Sequence, residues 1–324
     1  MTTTVDLVPG MVTTRDAIAT AFGCGTSQGI EPAADAGKVF VYSDPSAGEE
    51  YGYTFAGRAE DDASGPLYLY TGAGAKGDQN PSGRNGSLLS HVEKNRELHL
   101  FVAHGRVPGS GAMLQRYIGQ MVLDPVKPYE VRRGPGTDGA MRNVLVFRFR
   151  PAEGTSPAWT EADNLPAATA NAVEIVDPVA GVPAPVVLPH QDIPARQRNV
   201  MRREGELVKA FVAHLTAAGH ETHSFQITVA GEPGALTPDL YDATDHALYE
   251  AKGLTTRADV RMAIGQLADY RRHIPGRRDL LRVAVLLPSE PTADVKDLLG
   301  EEYVELVHQT TDGFAGWPLA YKRP

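Results

Sequence analysis

The sequence predicts a two-domain protein of mixed α and β structure, with a β-rich curved sheet or small barrel first and an α/β unit second. Three observations carry this. The 324-residue chain is long enough for two separate cores. Residues 151–190 are rich in Pro and Ala, lack periodicity, and hold five acidic residues but no Lys or Arg. The flanking regions differ in pattern: short Val/Tyr/Phe-rich runs between Gly and Pro turns before it, helical stripes alternating with apolar runs after it. The expected boundaries are 1–152 for the first domain, 153–190 for a tether and 191–324 for the second.

Taken in order, TTRDAIATAFG is the first helix, with Thr14 as its cap and Gly23 as its end. KVFVYSD, YGYTF, PLYLYTG, ELHLFVAHG, RYIGQMVLD, YEVRR and NVLVFRFRP are expected strands, and GRNGSLLSHVEKN a second short helix. Inside the tether, NAVEIV alone has the pattern of an edge strand. Beyond it, Leu207, Val208, Phe211, Val212 and Leu215 form a helical stripe that Gly219 closes. SFQITV is a strand, Asp239 opens another, and Ala247 to Lys252 form a third. ADVRMAIGQLADYRRHI is then a helix, and LLRVAVLLP an almost wholly apolar strand of the buried parallel kind.

The net charge of −9 argues against DNA binding only until it is divided along the chain. Residues 1–150 hold 15 basic and 16 acidic residues, and residues 191–324 hold 16 and 19, so both flanks are near neutral. Phosphate is met by local patches. Arg257, Arg261, Arg271, Arg272, Arg277, Arg278 and Arg282 fall within 26 residues, either as such a patch or as a solvated helix face. No apolar run reaches transmembrane length, and the N-terminus has no signal pattern, so no membrane is expected. One cysteine, Cys24, excludes an internal disulfide and predicts a cytoplasmic protein. No Cys/His set has zinc spacing.

The residues able to do chemistry are concentrated after Pro238. Glu250 follows Asp239 by eleven residues, and Lys252 stands two beyond Glu250. On a strand, Glu250 and Lys252 share a face while Ala251 points to the other. Two carboxylates beside a lysine are what metal-assisted phosphodiester hydrolysis requires. Gln266 and Tyr270, four apart, share one face of the following helix. This order and spacing resembles the PD-(D/E)xK nuclease core, and the Gln-x-x-x-Tyr helix after E-x-K is found in similar nucleases. The resemblance implies a restriction-endonuclease-like α/β fold. It also implies Mg²⁺ or Mn²⁺ held by Asp239, Glu250 and the Ala251 carbonyl, with Lys252 beside the attacking water. Gln266 and Tyr270 would support the scissile strand. It implies a further acid on the preceding helix, for which Glu206 is the choice and Glu204 the rival.

In the first domain, Tyr70, Thr71 and Gly72, with Ala73 and Gly74, resemble the YTG-x-G signature of SRA domains, which are PUA-like barrels that flip a modified cytosine. The run through RNGSLLSHVEKNRELHLF, with LVPGMVTTRDAI at the start, is similar to the SRA-like reader of actinobacterial McrA-type modification-dependent endonucleases. The likeness covers roughly residues 7–150. A flipped base needs an aromatic face and polar groups on its Watson–Crick edge. Tyr70 is the expected first wall of that pocket and Tyr53 the second, with cross-strand core packing the alternative for both. The Gly72–Gly77 loop would offer backbone amides, and Arg84 and His91 would hold the DNA backbone. The acid that SRA domains carry three residues after the first pocket tyrosine is missing after Tyr53. Asp61 or Asp62, brought in by an insertion, or Asp78 would replace it. The expectation is therefore a Mg²⁺-dependent endonuclease that reads methyl- or hydroxymethylcytosine in double-stranded DNA and acts as a homodimer or larger assembly. The alternatives are a reader of another mark, such as a phosphorothioate backbone, and a modified-DNA-binding protein that does not cut.

Overall fold

The computed structural model describes residues 5–45, 55–62, 65–125, 127–176, 195–276 and 279–319, without the side chains of 62 and 195–202. They divide into two compact units, the first ending at Ala167 and the second starting at Ala168 and resuming at 195. Among the described residues no helix is long and apolar enough to cross a membrane.

The first unit is a nine-stranded sheet. Its main path runs β2 (Ile30–Ala33), β3 (Lys38–Ser43), β6 (Glu97–Arg106), β7 (Met113–Leu123), β9 (Met141–Pro151), β5 (Gly65–Thr71) and β4 (Gly57–Asp62). Strand β1 (Val12–Thr14) pairs with β7, and β8 (Tyr129–Pro135) with β9. Only β3 and β6 run parallel along this path. Alternation along β3 sends Val39 and Val41 into the main core with Tyr68, Tyr70, Phe147 and Phe149. Phe40 and Tyr42 go to the opposite face, where Ile18 of helix α1 (Arg15–Phe22) covers them. Thr14 caps α1 through a bond from the Ala17 N–H, and Gly23 ends it at φ 72°, both as expected. Helix α2 (Gly83–Leu89) adds Leu88 to the main core.

The expected tether is largely folded. The Ala158 N–H donates to the Ile118 carbonyl at 2.9 Å, and the Trp159 ring stacks on Tyr68 at 5.7 Å. Asp163, 1% exposed, accepts from Arg116 Nη2 with both carboxylate oxygens, at 2.6 and 2.7 Å. Residues 153–167 thus belong to the first unit through irregularly spaced anchors, which explains why the sequence shows no period there. Residues 172–176 are β10, the edge strand expected from NAVEIV, and they pair with β11 (Thr222–Thr228) in the second unit.

That unit has a seven-stranded sheet, ordered β10, β11, β12 (Leu240–Asp242), β13 (Ala247–Ala251), β14 (Arg282–Leu287), β15 (Glu305–Thr310) and β16 (Gly313–Ala315). Strands β13, β14 and β15 are parallel, and the rest pair antiparallel. Helix α3 (Ala195–Ala217) packs Leu207, Phe211 and Leu215 on one face of the sheet against Tyr249 and Ala251. Helices α4 (Arg257–Tyr270) and α5 (Ala293–Glu301) cover the other face through Val260, Leu267 and Leu299. Six of the elements, β1, β2, β4, β15, β16 and α5, lie outside the sequence expectations, and the expected strand YGYTF falls outside the described residues except for Phe55, which is not in a strand.

Candidate functional site

Strand β12 is antiparallel to β13 with Leu240 opposite Tyr249, so the next position back sets Asp239 across from Glu250. The Ala251 N–H donates to Asp239 Oδ2 at 2.8 Å, which ties the Asp239 carboxylate to β13 between Glu250 and Lys252. Alternation turns Glu250 and Lys252 toward α4 while Tyr249 and Ala251 face α3. Lys252 Nζ donates to Glu250 Oε1 at 2.8 Å, and both side chains are buried. Glu250 Oε2 is buried with no protein partner. From α3, Glu204 Oε2 accepts the Gly253 N–H at 3.2 Å.

The electrostatics follow from three carboxylates sharing one cation. Burial, then the charge of Asp239, holds Glu250 well above the usual carboxylate range, with Lys252 opposing. The same two causes push Glu204 up to about 7. Burial alone pulls the Lys252 ammonium down, but Glu250, Glu204 and Asp239 outweigh it and keep it above the ordinary value. A group of acids this poorly compensated favours an added cation. The fit is specific at Glu250, whose orphaned Oε2 is an oxygen donor without a use inside the protein. Tyr270 is buried, its hydroxyl raised by burial and then by Glu250, and Gln266 Nε2 donates to it at 3.3 Å. Gln266 Oε1 is buried and without a partner.

Of the two acids on α3, it is Glu204 and not Glu206 that reaches this cluster. Glu206 is exposed and lines a neighbouring cavity. Two residues along a helix turn the side chain by roughly 200°, so only one of the pair can face β13. Three of the five described arginines of the run are paired within the fold. Arg257 pairs with Asp294, Arg272 with Asp269, and Arg282 with Glu305, while Arg277 and Arg278 lie outside the described residues.

A tighter set of ligand-type groups lies beyond β12: His220, Asp242 and Asp245 have ligand atoms all within 4.8 Å of one another. Glu204, Asp239 and Glu250 are more widely spaced than that. Yet Asp242 Oδ2 pairs with His220 at 2.7 Å, and its Oδ1 accepts the Thr244 and Asp245 N–H groups at 3.0 and 3.3 Å. That carboxylate is satisfied by a turn, whereas Glu250 is not.

In the first unit, the glycine-rich loop after β5 is braced from within. Gln79 Nε2 donates to the Gly72 and Gly74 carbonyls at 2.7 and 3.0 Å, and Gln79 Oε1 accepts the Leu145 N–H at 2.9 Å. Asn85 Oδ1 accepts the Ala73 N–H at 2.7 Å. A Cβ on Gly72 would stand 2.9 Å from Asn85 Oδ1 and 3.0 Å from Phe147, so glycine is required by close packing. Gln79 and Asn85 were not singled out in the sequence. The available signal was an amide side chain on each flank of a loop whose carbonyls need donors.

Several expected pocket residues have other roles. Asp78 accepts the Asn143 N–H at 2.8 Å, which commits it to the loop's anchor. Arg84 donates to Glu31 and to the Ile30 carbonyl, at 2.8 and 2.5 Å. His91 is buried with Nδ1 2.7 Å from the Leu88 carbonyl, too deep to hold a DNA backbone. Asp61 is exposed beside Arg58. Tyr70 is 5% exposed and stacks on Phe149, so it packs in the core, and Thr71 ends β5 half-buried. Tyr53 lies outside the described residues, as does the Asp62 side chain. Among the described tyrosines of the first unit, Tyr42 has a buried hydroxyl without a partner, and the Arg15 guanidinium lies 4.5 Å over its ring.

The first unit is thus a β-rich domain with an internally braced glycine loop, the class of SRA-like readers. Residues 9–171, half of the chain, match the family model described as "ScoMcrA-like, SRA domain". The chain belongs to this family. Among solved structures it is similar to the sulfur binding domain and SRA domain of ScoMcrA complexed with phosphorothioated DNA, at 23% identity over 46% of this chain and 40% of that one, TM-score 0.34. The type IV phosphorothioation-dependent restriction endonuclease ScoMcrA matches at 23% identity over 50% of this chain and 27% of that one, TM-score 0.35. The DNA recognition domain of the cytosine modification-dependent restriction endonuclease LpnPI matches at 14% identity over 47% and 76%, TM-score 0.35. The chain therefore spans well under two thirds of the first two. No curated protein matches it.

Proposed function

We propose that the chain is a modification-dependent DNA endonuclease, in which the first unit recognises a modified cytosine by base flipping and the second hydrolyses the DNA backbone. One observation carries the cutting half: the Asp239 carboxylate is bonded to β13 between Glu250 and Lys252, so two acids and a lysine converge where Glu204 also arrives. Family membership supports the reading half. In this reading the second unit has the PD-(D/E)xK fold.

Asp239, Glu250 and the Ala251 carbonyl would hold Mg²⁺ or Mn²⁺, since all three offer the hard oxygens such ions take. Such an ion, when bound, would supply a water of lowered pKa and positive charge beside the phosphate under attack. Lys252 Nζ, held beside Glu250 Oε1, would donate to the attacking water and to the negative oxygens of the transition state. Glu204 completes the acidic surround. Gln266 and Tyr270 would support the scissile strand with the donors of this helix face, the Gln266 amide N–H and the Tyr270 hydroxyl, which suit phosphate oxygens. Double-strand cleavage by one such site per chain calls for a homodimer or larger assembly.

The test is digestion of matched duplexes carrying cytosine, methylcytosine, hydroxymethylcytosine or a phosphorothioate linkage, with Mg²⁺, Mn²⁺ or EDTA. Cleavage confined to a cytosine mark and to the metal supports the proposal. Metal-independent cutting removes the assignment of Asp239 and Glu250. Cutting confined to the phosphorothioate replaces the base-flipping reader with a backbone reader.

A further inference from the structure

We infer that the second unit carries its own nucleotide pocket beside the cut site, so that cleavage has a base preference independent of the mark that is read; this rests on the nuclease reading above. A cavity of about 550 Å³ opens at the carboxyl ends of β13 and β14, the end at which parallel sheets take ligands. Its floor includes Gly253, the residue whose N–H is bonded to Glu204, so the cavity adjoins the acidic cluster directly. A DNA strand with one phosphate at Asp239 and Glu250 must place a neighbouring nucleotide within reach of that floor. The volume lies within the roughly 300–1,000 Å³ of pockets that enclose small molecules.

The lining has the chemistry for one nucleotide. Arg203, exposed at the rim, offers a fork of donors for a phosphate. Leu254 and Pro288 provide apolar surface for a sugar or base face. Thr255 and Ser289 carry hydroxyls, and Gln309 an amide that donates and accepts at once. An amide of that kind matches the paired donor and acceptor of an adenine edge, which neither a hydroxyl nor an arginine does alone. Gln309 is thereby the specificity-determining residue and Arg203 the phosphate contact.

The experiment is sequencing of the ends released from modified DNA with randomised flanks, using the full chain with Mg²⁺. Wild-type ends are expected to favour adenine at one position beside the cut by about five-fold or more, the lower range of a single two-bond base contact. Gln309→Ala should erase that bias, while Arg203→Ala should lower kcat/KM about ten-fold or more and leave the bias in place. Unbiased wild-type ends, or a bias that survives both Gln309→Ala and Ser289→Ala, overturn this inference and leave the nuclease reading standing. Absence of any wild-type cleavage with Mg²⁺ or Mn²⁺ overturns the nuclease reading and this pocket with it.

Discussion

At the residue scale, Glu250 combines a buried place among other acids with an acceptor oxygen that the protein leaves unused. Asp239→Asn keeps an acceptor for the Ala251 N–H but removes a charge. It should reduce cleavage at least about a hundred-fold while binding of modified DNA is retained, checked by plasmid nicking and gel shift. Equal activity in that variant would move the metal elsewhere. Lys252→Ala should behave in the same way. Glu204→Gln should impair cleavage where Glu206→Gln does not impair chemistry at saturating substrate. His91 gives a separate prediction in pH. Burial pulls it down to about 4 against an ordinary value of 6.5, so folding favours the neutral ring. Its contribution is complete above pH 6.5 and is lost as pH falls toward 4, on the order of 3 kcal/mol in all. Denaturant midpoints of wild type and His91→Gln should therefore converge in acid. The Asp239, Glu250 and Lys252 set was legible because strand alternation and spacing alone bring it together. The choice of Glu204 was not, since both glutamates fit a helix surface and only the bond to Gly253 separates them.

At the element scale, the parallel strand β14, the stripe of α3 and the cap of α1 were readable because periodicity and capping are local. The short strands β1, β2 and β16, of three or four residues, hold too few residues to show a period, and long-range pairing makes them. The glycine loop after β5 shows the same limit. Its glycines announce a turn, but its bracing by Gln79 and Asn85 depends on strand β9 and helix α2 arriving beside it. Gly72→Ala should cost about 1–3 kcal/mol by crowding Asn85 and Phe147, measurable as a lowered urea midpoint. An unchanged midpoint would mean that the loop can shift without loss.

At the scale of the whole molecule, each unit has its own core, and the proposed cation belongs to only one of them. Mg²⁺ at a hundred times its dissociation constant should raise the stability of the second unit by about 2–3 kcal/mol and leave the first where it is. Calorimetry should show one transition moving, and neither in Asp239→Asn. The division of the chain was visible in its composition, but its position was not: residues 153–167 have the make-up of a tether and the contacts of a clasp. Arg116→Leu leaves Asp163 buried without a counter-ion and should destabilise the first unit by about 3–5 kcal/mol. A fragment engineered to stop at residue 152 would therefore lose the Trp159 ring stacked on Tyr68 and deprive the Arg116 guanidinium of its Ala158, Thr160 and Asp163 acceptors. Anyone isolating the reader alone should carry the polypeptide through residue 167, or expect a sticky, poorly folded product that says little about DNA.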